Sequence, residues 1–138
     1  MKLVIDENPS PVIAKVAKMV ITADIVHVNS WPGSGTPDEQ LFELIAQENG
    51  ALFTCDRNQR RTPKVREALK AAGISVFFAD QEWANGGRFE QVRRFLNWWP
   101  EMLRAHDANW PGSWFEIPYS VRTARLTRLV DSPGPAQE

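Results

Sequence analysis

The sequence predicts an α/β domain, a three-layer α/β/α sandwich around a mainly parallel sheet. Two observations carry this. Short apolar and β-branched runs alternate with segments of helical periodicity, and three of the runs end in an aspartate: Lys2-Leu-Val-Ile-Asp6, Ala51-Leu-Phe-Thr-Cys-Asp56 and Ile74-Ser-Val-Phe-Phe-Ala-Asp80. Unbroken apolar runs mark strands buried on both faces, as in a parallel sheet covered by helices. Such sheets bind ligands beyond the carboxyl ends of their strands, so the three acids reach one working edge.

The elements follow in order. After the first strand, residues 9–20 place Val12, Ile13, Val16, Met19 and Val20 at three- and four-residue spacings, an amphipathic helix begun by Pro9 or Pro11. Residues 24–28 read as a second strand, and Asn29-Ser-Trp-Pro-Gly-Ser-Gly35 as a loop. Thr36-Pro-Asp-Glu39 reads as a capping box, with Thr36 as N-cap, Pro37 at the first helical position and Glu39 two further on. The helix it starts has Leu41, Phe42, Leu44 and Ile45 as inner face and Gly50 as stop. The third strand ends at Asp56, and the polar loop 57–61 leads to a short helix from Thr62-Pro63 to Gly73. The fourth strand ends at Asp80. Residues 87–105 form a longer helix through Phe89, Val92, Phe95, Leu96 and Trp99, interrupted near Pro100.

Beyond Asn109 the pattern gives two short extended segments, one within 110–119 and one within 122–130. The expected organisation is an α/β domain over 1–106, a Trp-rich extension over 107–130 that packs on the domain or on a partner, and a disordered tail over 131–138. Short βαβ connections imply right-handed crossovers. The strand order 2-1-3-4 then puts Asp6 and Asp56 side by side at the switch point, with Asp80 one strand further out.

A chain of 138 residues with 43% hydrophobic content suits one core and is too short for two ordinary domains. The net charge of −1 gives no global attraction to nucleic acid, so any such binding rests on a local basic patch. A single Cys55 excludes an internal disulfide and a cysteine-based zinc site. No apolar run approaches the ~18 residues of a membrane span, and no charged leader with an apolar core heads the sequence, so the cytosol is the expected compartment.

Carboxylates gathered at one edge repel one another, and a hard cation such as Mg²⁺ or Mn²⁺ keeps them ionised. Taken singly, each Asp is equally a strand end or turn start. Asp38 or Glu39 faces the same cation if the loop before it returns to the carboxyl edge. Asn8 either caps the following helix or orients Asp6, and Glu7 reads as a solvated loop acid. Arg57, Arg60, Arg61 and Lys64 flank Asp56. Such a run is commonly a solvated face, but guanidinium groups beside a metal-carboxylate cluster suit the oxygens of a phosphodiester. A metal that activates water removes the need for a Ser, Cys or His nucleophile. His27 sits inside a strand pattern as a structural residue, and His106 at a helix end reads as a dipole contact. Trp31, Trp83, Trp98, Trp99, Trp110 and Trp114 serve core packing and tail docking, or stack on bases where exposed. Arg122, Arg125 and Arg128 extend a basic track or face solvent.

Three motifs, Leu3-Val-Ile-Asp-Glu-Asn-Pro-Ser-Pro11, Thr36-Pro-Asp-Glu39 and Phe53-Thr-Cys-Asp-Arg-Asn58, resemble the PIN-like nuclease domains, in particular the VapC-type toxins of toxin–antitoxin modules. The resemblance covers residues 1–80. It implies a Mg²⁺- or Mn²⁺-dependent ribonuclease for single-stranded RNA, often a homodimer, held inactive by a small antitoxin protein. Carried over by position, Asp6 and Asp56 resemble the central metal carboxylates, Asp38 or Glu39 the helical acid, and Asp80 a fourth. Many members have a further acid two residues after the position of Asp56, where this chain has Asn58, which offers oxygen without charge. That departure favours the alternative of a non-catalytic PIN-like interaction module. A phosphoacceptor receiver domain also fits Asp6, Glu7 and Asp56, but it requires a hydroxyl after strand four, where Asp80 stands, and a lysine after strand five. A haloacid-type phosphatase wants an Asp at position 8.

Overall fold

Strand β1 (Lys2–Ile5) pairs in parallel with β2 (Asp24–His27) on one side and β3 (Ala51–Thr54) on the other. β4 (Ser75–Ala79) joins β3, and β5 (Trp114–Ile117) joins β4, giving a five-stranded parallel sheet in the order β2-β1-β3-β4-β5. The structure, a computed structural model, describes residues 1–56, 58–120 and 125–133. Arg57, Arg122, the side chain of Asn58 and positions 134–138 of the tail lie outside the described residues. The expected order 2-1-3-4 is present, extended by one strand.

Helix α1 is Val12–Val20, α2 Asp38–Gln47, α3 Asn58–Arg61, α4 Pro63–Ala72, α5 Glu82–Asn85 and α6 Arg88–Ala108. The strands read as continuous apolar runs because alternate residues enter two separate cores. Leu3, Ile5, Phe53 and Phe77 pack with α1 and α6, whereas Val4, Leu52, Val76 and Phe78 pack with α2 and α4. Helices therefore cover both faces, and the three-layer sandwich is the architecture observed. Phe53 is fully buried with Trp83 and Phe95 edge-on to it at 5.4 and 5.5 Å. Burial of each such ring stabilises the fold by roughly 1.5–3 kcal/mol.

Helix ends show where local signals and packing disagree. α4 begins with Pro63 at its first turn and stops at Gly73, whose φ of 69° is a left-handed conformation that costs a residue with a Cβ. The capping box at Thr36 does not form. Pro37 is extended (ψ 145°) and itself precedes the helix, which starts at Asp38, while the Thr36 hydroxyl donates to the Gly33 carbonyl at 2.7 Å. α6 continues through Pro100 rather than breaking there. Buried Trp98, Trp99 and Met102 around Pro100 hold the helix against α1 despite the lost hydrogen bond. The polar loop after Asp56 contains the short helix α3.

The first extended segment after residue 109 becomes β5. The second makes, among its described residues, one antiparallel bridge, Phe115 to Arg128. Residues 125–133 instead run as a strap along β5, with Leu126 and Ser132 buried and Leu129 N–H donating to the Trp114 carbonyl at 2.8 Å. Trp83, Trp98, Trp99 and Trp114 are core residues, Trp31 lies half-buried under the Lys2 ammonium, and Trp110 is 59% exposed. Among the described residues no helix is long and apolar enough to cross a membrane.

Candidate active site

Register decides which acids meet. Ile5 pairs with Phe53, so the next residues along, Asp6 and Thr54, lie side by side, and Asp6 N–H continues the ladder by donating to the Phe53 carbonyl at 2.9 Å. By parity with Val4 and Leu52, both emerge on the face covered by α2, whose first turn carries Asp38. Thr54, 1% exposed, links two acids through its hydroxyl: it donates to Asp6 Oδ2 at 2.9 Å and accepts the Asp56 N–H at 3.0 Å. Gln59 Nε2 also donates to Asp6 Oδ2, at 3.4 Å, and Glu7 N–H donates to Oδ1 at 2.9 Å.

The loop that follows Asp6 is held from two sides. His27 accepts the Asn29 N–H on Nδ1 at 3.1 Å, which leaves Nε2 to donate to the Pro9 carbonyl at 3.2 Å; the histidine is structural and its tautomer is set. Ser10 N–H donates to Gln91 Oε1 at 2.9 Å, and the buried Gln91 amide in turn donates to the Trp83 and Gly86 carbonyls. Asn8 does not cap α1, where the Val12 N–H is taken by Ser10 Oγ at 3.2 Å.

Asp6, Asp38 and Asp56 line a single open cavity of about 650 Å³, with Glu7, Asn8, Gln59 and Arg61. Burial pushes the Asp6 carboxyl above the ordinary range; the Glu7 and Thr54 hydrogen bonds oppose it, and the charges of Asp38 and Asp56 add to it. Asp38 is raised likewise, by burial and then by Asp56, against a hydrogen bond from Gln59. Like charge at the site thus adds to burial in raising both Asp6 and Asp38. Cys55 beside it is pushed up to about 12 by burial and by Asp6 and Asp80, so at neutral pH it is a thiol and not a nucleophile. The acids share a cavity without closing on one point, for among the described residues no three Asp, Glu, His or Cys side chains form a ready-made metal site. The donor set is nonetheless of the right kind for a hard divalent cation: carboxylate oxygens, an amide at hand, and repulsion that positive charge relieves.

The remaining candidate residues are dispersed. Glu39, adjacent to Asp38 in sequence, points away and lines the clefts between α2 and α4 with Lys64. Asp80 faces an adjoining cavity of about 190 Å³ that it shares with Asp56, Arg60 and Arg61, and its Oδ1 accepts the Glu82 N–H at 3.2 Å. Arg60 is committed elsewhere. It grips Asp131 with two hydrogen bonds of 3.0 and 3.1 Å, lies 3.6 Å from Glu116 and sits over the Phe78 ring. Arg61 is exposed and lines both cavities. Arg125 is exposed, and Arg128 is turned back onto Ser113 and Ser132. Sequence reasoning missed Thr54 and Gln59. Register beside Asp6 is the signal that identifies Thr54; Gln59, one polar residue in a polar run, carries none.

A family model described as a PIN like domain matches residues 1–81, from β1 through Asp80. The chain belongs to the PIN-like domain family. No curated protein and no solved structure matches it. PIN-like domains are generally nucleases that act on nucleic acids and typically use divalent metals, and this PIN-like domain keeps the three acids of the cavity inside the matched region. α6, β5 and the strap lie beyond it. The receiver reading loses ground for the same reason, and β5 is followed by Pro118 and Tyr119 rather than by a lysine.

Proposed function

We propose that this PIN-like domain is a Mg²⁺- or Mn²⁺-dependent endoribonuclease that cleaves single-stranded RNA and serves as the toxin of a toxin–antitoxin pair, with a small antitoxin protein as its inhibitor. One observation carries the nuclease reading: Asp6, Asp38 and Asp56, from three separate stretches of the chain, face one cavity at the carboxyl edge of the sheet, where burial and like charge raise Asp6 and Asp38. These three would hold the cation. Bound there, it would supply an activated water and neutralise charge on the phosphodiester oxygens. The chain's own residues do the rest. Thr54 fixes the orientation of Asp6, Arg61 at the rim offers a guanidinium fork for a backbone phosphate, and the cavity stays open on one side for a flexible strand. The toxin assignment and its homodimer rest on the VapC-type resemblance, and the α6–β5–strap region outside the matched residues is the surface available to an antitoxin.

The test is cleavage of a pool of labelled single-stranded RNAs by the purified chain in Mg²⁺, Mn²⁺ or EDTA, beside an Asp6→Asn/Asp56→Asn double variant. Cutting that needs metal and vanishes in the variant supports the nuclease; a well-folded wild type that cuts nothing favours the second reading. That reading, a non-catalytic PIN-like interaction module, draws on Asn58 in place of an acid and on the absence of a closed carboxylate cluster among the described residues.

A further inference from the structure

Asn58 supplies no charge at its position in the chain, and the next residue is drawn into the acid cluster. Gln59 meets two of the acids with its side chain and the backbone of the third. Its backbone N–H donates to the Asp56 carbonyl at 3.2 Å, its Nε2 donates to Asp6 Oδ2 at 3.4 Å, and its side chain hydrogen-bonds Asp38. It does so from a buried position, 3% exposed, in the wall of an otherwise open cavity.

Its carbonyl is the second observation. Gln59 Oε1 is buried with no hydrogen-bond partner among the described residues. A buried acceptor without a partner costs on the order of 1–3 kcal/mol. Turning the amide over would aim that oxygen at two carboxylates, which is worse. The amide is therefore oriented by the acids and not by the packing around it.

We propose that Gln59 is a positioning residue of the cation site, its amide bridging Asp6 and Asp38 so that two mutually repelling carboxylates stay within reach of one ion. An apolar side chain of equal length would leave Asp38, exposed on the first turn of α2, free to swing away from Asp6. The proposal rests on the metal-dependent reading above.

The experiment is Mn²⁺ binding to the intact chain, followed by the loss of the free-ion electron paramagnetic resonance signal, for wild type, Gln59→Met, Asp38→Asn and the double variant, with circular dichroism as a check on folding. Partners that orient metal ligands are typically worth 10–100-fold in metal affinity, and Gln59→Met should lose about that much. Because Gln59 acts through Asp38, the double variant should bind little worse than Asp38→Asn alone. Gln59→Asn, which keeps the amide but falls one methylene short, should lose affinity as well and replaces Gln59→Met if that variant does not fold. Wild type that binds no Mn²⁺ overturns the metal reading and this proposal with it. Wild type that binds while Gln59→Met binds equally well, or losses that multiply in the double variant, overturns the proposal alone.

Discussion

At the carboxyl edge of the sheet burial, and then the charges of Asp38 and Asp56, raise the pKa of Asp6 beside an open cavity, while four residues past Asp56 the Arg60 guanidinium lies bidentate on Asp131 with Glu116 and Arg66 alongside. The two clusters draw on neighbouring stretches of chain and treat charge in opposite ways. In the second, opposite charges pair and each shifts its partner toward the ionised form: Asp131 is lowered and Arg60 raised. In the first, like charges meet, and Asp6 and Asp38 are both shifted toward the neutral form. Paired opposite charges tie the chain together; like charges gathered at a cavity suit a cation brought from outside. If this contrast is right, mutating the two clusters should have opposite effects on stability and activity.

The largest effect is expected for Asp6→Asn. Removing a central carboxylate should lower metal-dependent RNA cleavage by about 10³-fold, the rate equivalent of roughly 4 kcal/mol of transition-state stabilisation. The same change relieves repulsion at a buried position while Asn keeps an acceptor for Thr54, so the melting temperature measured without metal should rise. A variant that melts lower and still cuts RNA would show the acids to be structural. Next comes the pair Asp38→Asn and Glu39→Gln. Both acids sit in the first turn of α2, but only Asp38 lines the cavity. Cleavage rates should fall at least about tenfold in the first, as expected on losing one partner of a charged site, and stay at wild type in the second. Equal losses would remove the distinction between the two faces of that turn.

That distinction also marks the limit of what the sequence could say. The strand order, the two helix layers and the arrival of Asp6, Asp56 and Asp80 at one edge follow from apolar periodicity and topology rules, which depend on few residues at a time. Asp38 and Glu39 differ by the 100° rotation between neighbours on a helix, and which of them faces inward depends on where Pro37 lets the helix begin. The capping-box pattern pointed to a start at Thr36 that packing did not adopt. Pro100 fails as a breaker because the buried residues around it hold the helix in place. Arg60 looked available for phosphate because its partner is 71 residues away in a segment whose composition reads as a tail. Gln59 is legible only once three acids from three elements surround it.

The Arg60–Asp131 tie should behave as a clasp. Asp131→Asn, or Arg60→Met, should lower stability by about 1 kcal/mol, the upper range for a partly exposed pair, and the melting temperature by roughly 4 °C. Cleavage should change little in either variant, and the double variant should melt near the singles, which a thermal-denaturation cycle would show. The pH dependence follows from the direction of the shift. Asp131 titrates lower in the folded chain than in the unfolded one, so its contribution is present above the ordinary carboxyl range and disappears as pH falls through the folded value. Acid unfolding of Asp131→Asn should therefore be shallower in that window, and a curve parallel to wild type would mean that the clasp contributes nothing.

The smallest effect lies at the opposite edge of the sheet, where the contrast can be checked far from any candidate chemistry. His106 is in the last turn of α6, a position that favours a charged imidazole through the helix dipole. Burial beside Trp99 and Leu103 outweighs this: it lowers the pKa, Asp107 opposes the shift, and the chain's N-terminal charge adds to it. His106 Nδ1 is buried without a partner among the described residues, which suits a neutral ring. The unfolded chain therefore takes up a proton at the ordinary value of 6.5 before the folded chain does, and stability should decline as pH falls from 7 through that value toward the lower folded one. Melting temperatures of His106→Gln should be flatter than wild type between about pH 7 and 5, the range in which histidine titrates. Wild type whose stability rose on acidification there would instead show the charged form to be favoured, and the dipole would then be the stronger influence on this residue.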